Sequence, residues 1–132
     1  MKLLVDNMFP PALGRGLGAL FADDHEVVHI KDKFGRGNLT DADWIKALGR
    51  EGGWGVLSGD LQIAKRRPSR ELFLRSGLVG FFPAPAVAKL PFNRLAARLL
   101  IVWPTMVALM KTTDRGVYEL SISGTKFRQI NG

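Results

Sequence analysis

The chain has no cysteine, two histidines, one tyrosine and no long apolar run, and its twelve acids face nineteen lysines and arginines over 132 residues. Without cysteine there is no disulfide, thiolate metal site or cysteine nucleophile, which fits a reducing compartment, with the cytoplasm as the expectation. With two histidines, a three-histidine zinc site is excluded. The opening Met1-Lys2-Leu3-Leu4-Val5 reaches Asp6 after three apolar residues, short of a secretory apolar core. The most apolar stretch, Leu99 to Met110, contains Pro104 and is shorter than a bilayer crossing. The chain is therefore expected to be soluble, without a membrane partner.

What is present in excess is positive charge. A net charge of +7 and a pI near 10.3 favour a polyanionic partner such as RNA, DNA or an acidic protein. At this length a single domain over residues 1–132 is expected, with one core that buries roughly two-thirds of the unfolded chain's surface.

The pattern along the chain alternates between two periods. Leu3 to Val5 reads as a short buried strand. Pro10-Pro11 opens a helix through Leu13, Leu17 and Leu20, although Gly14, Gly16 and Gly18 weaken its propensity. Glu26 to Ile30 is β-branched and reads as a strand, followed by a basic loop from Lys31 to Asn38. Thr40 is an N-cap with Asp43 three residues on, and Gly52-Gly53 stops that helix. Trp54 to Leu57 and Leu78 to Phe82 read as strands around a helix from Pro68 to Arg75. A long helix follows Pro91 with a kink expected at Pro104, and Val117 to Ile122 and Lys126 to Ile130 are candidate terminal strands. The alternation predicts an α/β fold, a mainly parallel central sheet covered on both faces.

Three aspartates stand where such a fold collects ligands. Asp6 closes the first strand and Asp60 follows Val56-Leu57 by a Ser-Gly step, so both are expected at carboxyl ends of strands. Asp41 lies three, four and seven residues before Trp44, Ile45 and Leu48, so helical phase turns it toward the core face, while Asp43 completes the cap. Singly each has a structural explanation in capping or in the helix dipole. Together they match a hard divalent cation, Mg²⁺ or Mn²⁺, which takes several oxygen ligands and can orient water for attack on a phosphodiester. Asn7 and Ser58 are candidates for supporting hydrogen bonds. Lys65, Arg66, Arg67 and Arg70 form the densest basic run and are candidate backbone contacts for nucleic acid, with a solvated helix start as the alternative. Arg94, Arg98, Lys126 and Arg128 are further candidates.

The opening Leu-Leu-Val-Asp6-Asn7-Met-Phe-Pro, the middle Thr40-Asp41-Ala-Asp43-Trp44-Ile45, the Val-Leu-Ser58-Gly59-Asp60 segment and the closing Lys126-Phe127-Arg128-Gln129 resemble PIN-like domains of the VapC toxin type, in order along essentially the whole chain. The resemblance implies a three-layer α/β/α fold and a Mg²⁺- or Mn²⁺-dependent endoribonuclease. It further implies the toxin of a type II toxin–antitoxin pair, with an antitoxin protein as partner and a homodimeric state. By motif position, Asp6, Asp41 and Asp60 become catalytic, metal-site acids. Related sequences often carry another acid two residues after the strand-end aspartate, where this chain has Gln62. A four-acid site is thus not met by that motif, with Glu71 or Asp43 as the substitutes to consider. The alternative is a PIN-like module that binds RNA or protein without cutting.

Two further motifs carry less. His25-Glu26-Val27-Val28-His29 matches the H-E-x-x-H zinc-peptidase pattern, which works only on a helix, and the segment is β-branched. Gly14-Arg15-Gly16-Leu17-Gly18-Ala19 matches a dinucleotide fingerprint whose first glycine belongs at the strand end, yet Gly14 lies eight residues beyond Asp6. Close helix packing is the expected use of these glycines.

Overall fold

A computed structural model describes residues 1–35 and 38–130. Arg36 and Gly37, within the expected basic loop, lie outside the described residues. Six strands form one sheet: β1 (Lys2–Val5), β2 (Glu26–His29), β3 (Trp54–Leu57), β4 (Val79–Pro83), β5 (Gly116–Leu120) and β6 (Arg128–Gln129). Their spatial order is β2-β1-β3-β4-β5-β6. The first five run parallel, and β6 pairs antiparallel with β5 in the register Tyr118↔Gln129 and Glu119↔Arg128.

The period-two alternation of β1 sorts its side chains to two cores. Leu3 and Val5 join Leu13 and Leu17 of α1 (Pro11–Leu20) and Leu95, Leu99 and Met106 of α7 (Phe92–Thr112). Leu4 points the other way, to Trp44, Ile45 and Leu48 of α3 (Asp41–Glu51) and Phe73 of α5 (Arg67–Arg75). These two faces make the three-layer α/β/α architecture, with an apolar sheet buried between helices.

Three short helices escape the sequence pattern: α2 (Ile30–Phe34), α4 (Leu61–Lys65) and α6 (Pro85–Ala88). The first occupies what was expected to be loop from Lys31, because the buried His29 caps it by accepting a hydrogen bond from the Lys31 N–H. The long helix expected after Pro91 is α7, with Pro91 at its N-cap. At 21 residues it is long and apolar enough, by length and composition, to cross a membrane, so the short span read from Leu99 to Met110 is corrected. Its Leu95, Leu99, Val102, Trp103 and Met106 are buried in the domain. Pro104 sits inside the helix on the exposed side, where the carbonyl it leaves without an N–H partner is nearest water.

Two glycines of α1 are explained by close approach. A Cβ on Gly14 would meet the His29 backbone nitrogen at 2.9 Å and one on Gly18 the Val27 carbonyl oxygen at 2.8 Å, whereas at Gly16 nothing lies within 4 Å. The glycine run lets α1 press onto β2 and is no dinucleotide loop. Gly14→Ala is therefore expected to destabilise the fold, by 1 kcal/mol or more as overpacking against backbone does. Gly16→Ala is expected to stabilise it by about 0.5–1 kcal/mol through helix propensity. Thermal unfolding of the two variants checks the pair, and equal shifts of one sign would contradict this packing.

Candidate active site

The strand order reverses direction at β1, which has β2 on one side and β3 on the other. The loops leaving β1 and β3 at their carboxyl ends diverge there and open a crevice. Asp6 leaves β1 and Asp60 leaves β3, on the two sides of that reversal.

Asp6 is nearly buried, with 8% of its surface exposed. Its backbone N–H extends the ladder to the Leu57 carbonyl at 2.9 Å. One carboxylate oxygen accepts the Asn7 N–H at 2.7 Å and the other accepts the Ser58 hydroxyl at 2.7 Å. Ser58 is fully buried and does double duty, since its Oγ also accepts the Asp60 N–H at 3.0 Å. Asp60 in turn caps α4, its Oδ1 accepting the Gln62 N–H at 3.0 Å. One hydroxyl thus ties the two strand-end acids together.

Asp41 comes from the first turn of α3. Its Oδ1 accepts the Trp44 indole N–H at 3.1 Å, so helical phase did place it on the Trp44 side. It remains exposed, however, and the inward position expected for it is corrected: the indole holds the carboxylate at the rim. Asp6, Asp41 and Asp60 line one cavity of about 240 Å³ together with Asn7, Met8 and Trp44. Asp41 and Asp60 also line an adjoining cavity of about 270 Å³ with Gln62, Ile63, Arg66 and Ser69. Asp43 is exposed and lines neither; its N–H donates to the Thr40 hydroxyl at 3.2 Å as the cap requires. Glu71 is engaged by Arg67 at 2.9 Å on the surface.

Electrostatics set Asp6 apart. Burial pushes its carboxyl above the usual value, the Ser58 and Asn7 hydrogen bonds pull against that, and the charges of Asp41 and Asp60 push further up. A buried carboxylate facing two others is the donor chemistry that a hard divalent cation satisfies. Among the described residues, however, no three His, Asp or Glu side chains are gathered closely enough to form a ready-made metal cage.

The basic run divides. Arg66 lines the cavity beside Asp60, and Lys65 is exposed at the end of α4. Arg67 is paired with Glu71. Arg70 donates to the Ala64 carbonyl at 3.3 Å and the Ile130 carbonyl at 3.0 Å; as a fastener of the C-terminal strand it is not the open cation that the run implied.

The two histidines do not form a zinc pair. His29 ends β2 and is fully buried, its Nε2 at 2.7 Å from the Phe9 carbonyl and its Nδ1 at 3.1 Å from the Lys31 N–H. Because a carbonyl only accepts and an N–H only donates, the ring is neutral with its proton on Nε2. This bond pins the loop after Asp6, a supporting role that the sequence reading missed. His25 lies at the other end of the strand, about 13 Å away at strand rise, with its Nδ1 at 2.9 Å from the Met1 amine.

A family model described as a PIN like domain matches residues 1–84, well over half of the chain, and the chain belongs to that family. PIN-like domains are nuclease-type folds that in general use divalent metals. No curated protein and no solved structure gives a significant match. The matched region contains all three aspartates and ends after β4.

The elevated Asp6 carboxyl carries a pH signature. The folded state holds this proton more tightly than the unfolded chain, so the contribution favours folding at low pH and is lost as pH rises from the ordinary 3.8 through the raised value. Asp6→Asn, neutral throughout, escapes that loss. In EDTA, its melting temperature relative to wild type is expected to become more favourable as pH rises through this window. A difference that stays flat with pH would contradict the burial account.

Proposed function

We propose that this protein is a Mg²⁺- or Mn²⁺-dependent endoribonuclease of the VapC toxin type, acting in the cytoplasm as a homodimer controlled by an antitoxin protein. We extend the PIN-like domain over residues 1–132. The observation that carries the catalytic part is the shared cavity: aspartates from β1, α3 and the β3–α4 turn line one opening at the strand-order reversal. Asp6, Asp41 and Asp60 would hold the cation, which when bound polarises a phosphoryl oxygen and makes water a competent nucleophile at neutral pH.

The chain's own residues supply the rest. The Ser58 hydroxyl fixes one oxygen of Asp6 while its lone pair fixes the Asp60 backbone, so both acids keep their orientation as charge changes around them. The Trp44 indole does the same for Asp41. Arg66, which lines the adjoining cavity, would meet a backbone phosphate and offset its charge.

The expected behaviour is saturable Mn²⁺ binding by calorimetry and Mn²⁺-dependent cleavage of RNA, both weakened in each Asp→Asn variant and lost in the Asp6→Asn, Asp60→Asn double variant. Undiminished Mn²⁺ binding by that double variant would sink the reading. Ser58→Ala is expected to lower metal affinity or activity by about 10–100-fold, as loss of a ligand-orienting partner does.

A second reading, a PIN-like module that binds RNA or protein without cutting, is favoured by Gln62 in place of an acid and by the absence, among the described residues, of a gathered three-ligand group. RNA binding that persists in EDTA, with no cleavage across a range of Mn²⁺ concentrations and substrates, would select it.

A further inference from the structure

Beyond α4, on the side of the aspartates toward β6, lies a separate cleft of about 420 Å³ lined by Lys65, Lys126 and Arg128, with Glu119, Ser121 and Gln129. Its cations come from two unconnected parts of the chain, the end of α4 and the segment around β6. They belong to the same end of the sheet as Asp6 and Asp60, since β5 runs parallel to β1 and β3 and its last residues face the start of β6. From β1 to β5 is three strand spacings, about 14 Å.

The C-terminal segment that carries Lys126 and Arg128 is fastened from both faces of the sheet. Arg98 of α7 donates to the carbonyls of Ser121, Ile122 and Gly124 at 3.0, 2.9 and 2.8 Å. Arg70 of α5 holds the Ile130 carbonyl. Between these clamps Phe127 is buried against Phe81, with ring centroids 5.2 Å apart, and the Ile130 N–H donates to the Val117 carbonyl at 2.8 Å. Lys126 and Arg128, flanking the buried Phe127, are exposed.

Five other cations of the domain are committed elsewhere. Arg15 pairs with Asp32, Lys33 with Glu51 and Arg67 with Glu71, and Arg70 and Arg98 bind carbonyls. Among the described residues Lys65, Lys126 and Arg128 enter no ion pair, and with Glu119 subtracted their cleft keeps a net charge of two. Two unconnected segments therefore bring unpaired positive charge to one rigid cleft beside the acidic site.

We propose that this cleft is a phosphate-binding track for single-stranded RNA, holding the backbone a few nucleotides from the aspartate cavity. The inference rests on the ribonuclease reading for its substrate class and adds the path of the strand beside the acidic site. Lys and Arg in such a groove bind backbone without reading bases, so the track contributes affinity and leaves base selection to other residues.

Fluorescence anisotropy of a labelled single-stranded RNA oligonucleotide on the full chain, in EDTA over a series of salt concentrations, tests the track without the metal. Each contact with single-stranded phosphate contributes about 0.7 to the slope of log affinity against log salt. The Lys126→Ala, Arg128→Ala double variant is expected to weaken binding and flatten the slope by about 1.4, and Lys65→Ala by about 0.7. Arg50→Ala, exposed in the last turn of α3 and outside this cleft, is expected to leave both unchanged. The charge-preserving exchange Lys126→Arg, Arg128→Lys is expected to restore the slope, which a folding defect would not permit. Unchanged affinity and slope in the double variant would overturn the track while leaving the metal reading standing. Retained RNA binding with lost binding of a polyglutamate peptide would give the cleft to an acidic protein instead, and overturn it as well.

Discussion

The Ser58 hydroxyl, fully buried between two strand ends, is the contact on which the site depends. It donates to Asp6 and accepts from the Asp60 backbone, so one group orients both acids. A carboxylate as enclosed as Asp6 costs several kcal/mol unless its oxygens are matched by donors. Ser58 and the Asn7 N–H supply two of them. The partial match keeps the acid in place while leaving its carboxyl raised, a state that added positive charge would relieve.

The surrounding fold acts to keep those strand ends still. Parallel pairing sets Val5 beside both His29 and Leu57, so the three strand ends around Asp6 are locked in one register. The His29 bond to Phe9 fastens the loop that follows, and α1 can reach β2 closely enough to cover it because Gly14 and Gly18 have no side chain. At the other edge, Arg70 and Arg98 fasten the segment around β6. Arginine serves there through its planar fork of donors rather than through its charge, which is why a count of positive residues overstates the surface open to an anion.

Much of this was legible from the chain. β1, β3, the Thr40 cap and the stripe of α7 follow from local periodicity and capping, and the strand-end positions of Asp6 and Asp60 follow from the strands. The short helices α2, α4 and α6 were not, because four or five residues do not complete the two turns that a helical period needs. Asp60 is accordingly both a strand-end acid and the cap of a helix that the pattern does not display. Helix phase gave the direction of Asp41 toward Trp44 but not its depth, since the first residue of a helix has no turn before it to cover it. Arg70 reads as one cation in a row; its partner is sixty residues away, beyond any local signal. The antiparallel β6 was likewise set by contacts of Phe127 and Ile130 that only the assembled core supplies.

The central claim is that three aspartates from separate elements serve one divalent cation. Crystals of the protein soaked in Mn²⁺ test it most directly, through anomalous difference density. The account predicts a peak in the cavity bounded by Asp6, Asp41 and Asp60, with carboxylate oxygens of these residues as its protein ligands, and loss of the peak in Asp6→Asn crystals. A saturating soak that leaves this cavity without density, or a peak held by other residues while the three aspartates stay uninvolved, would contradict it.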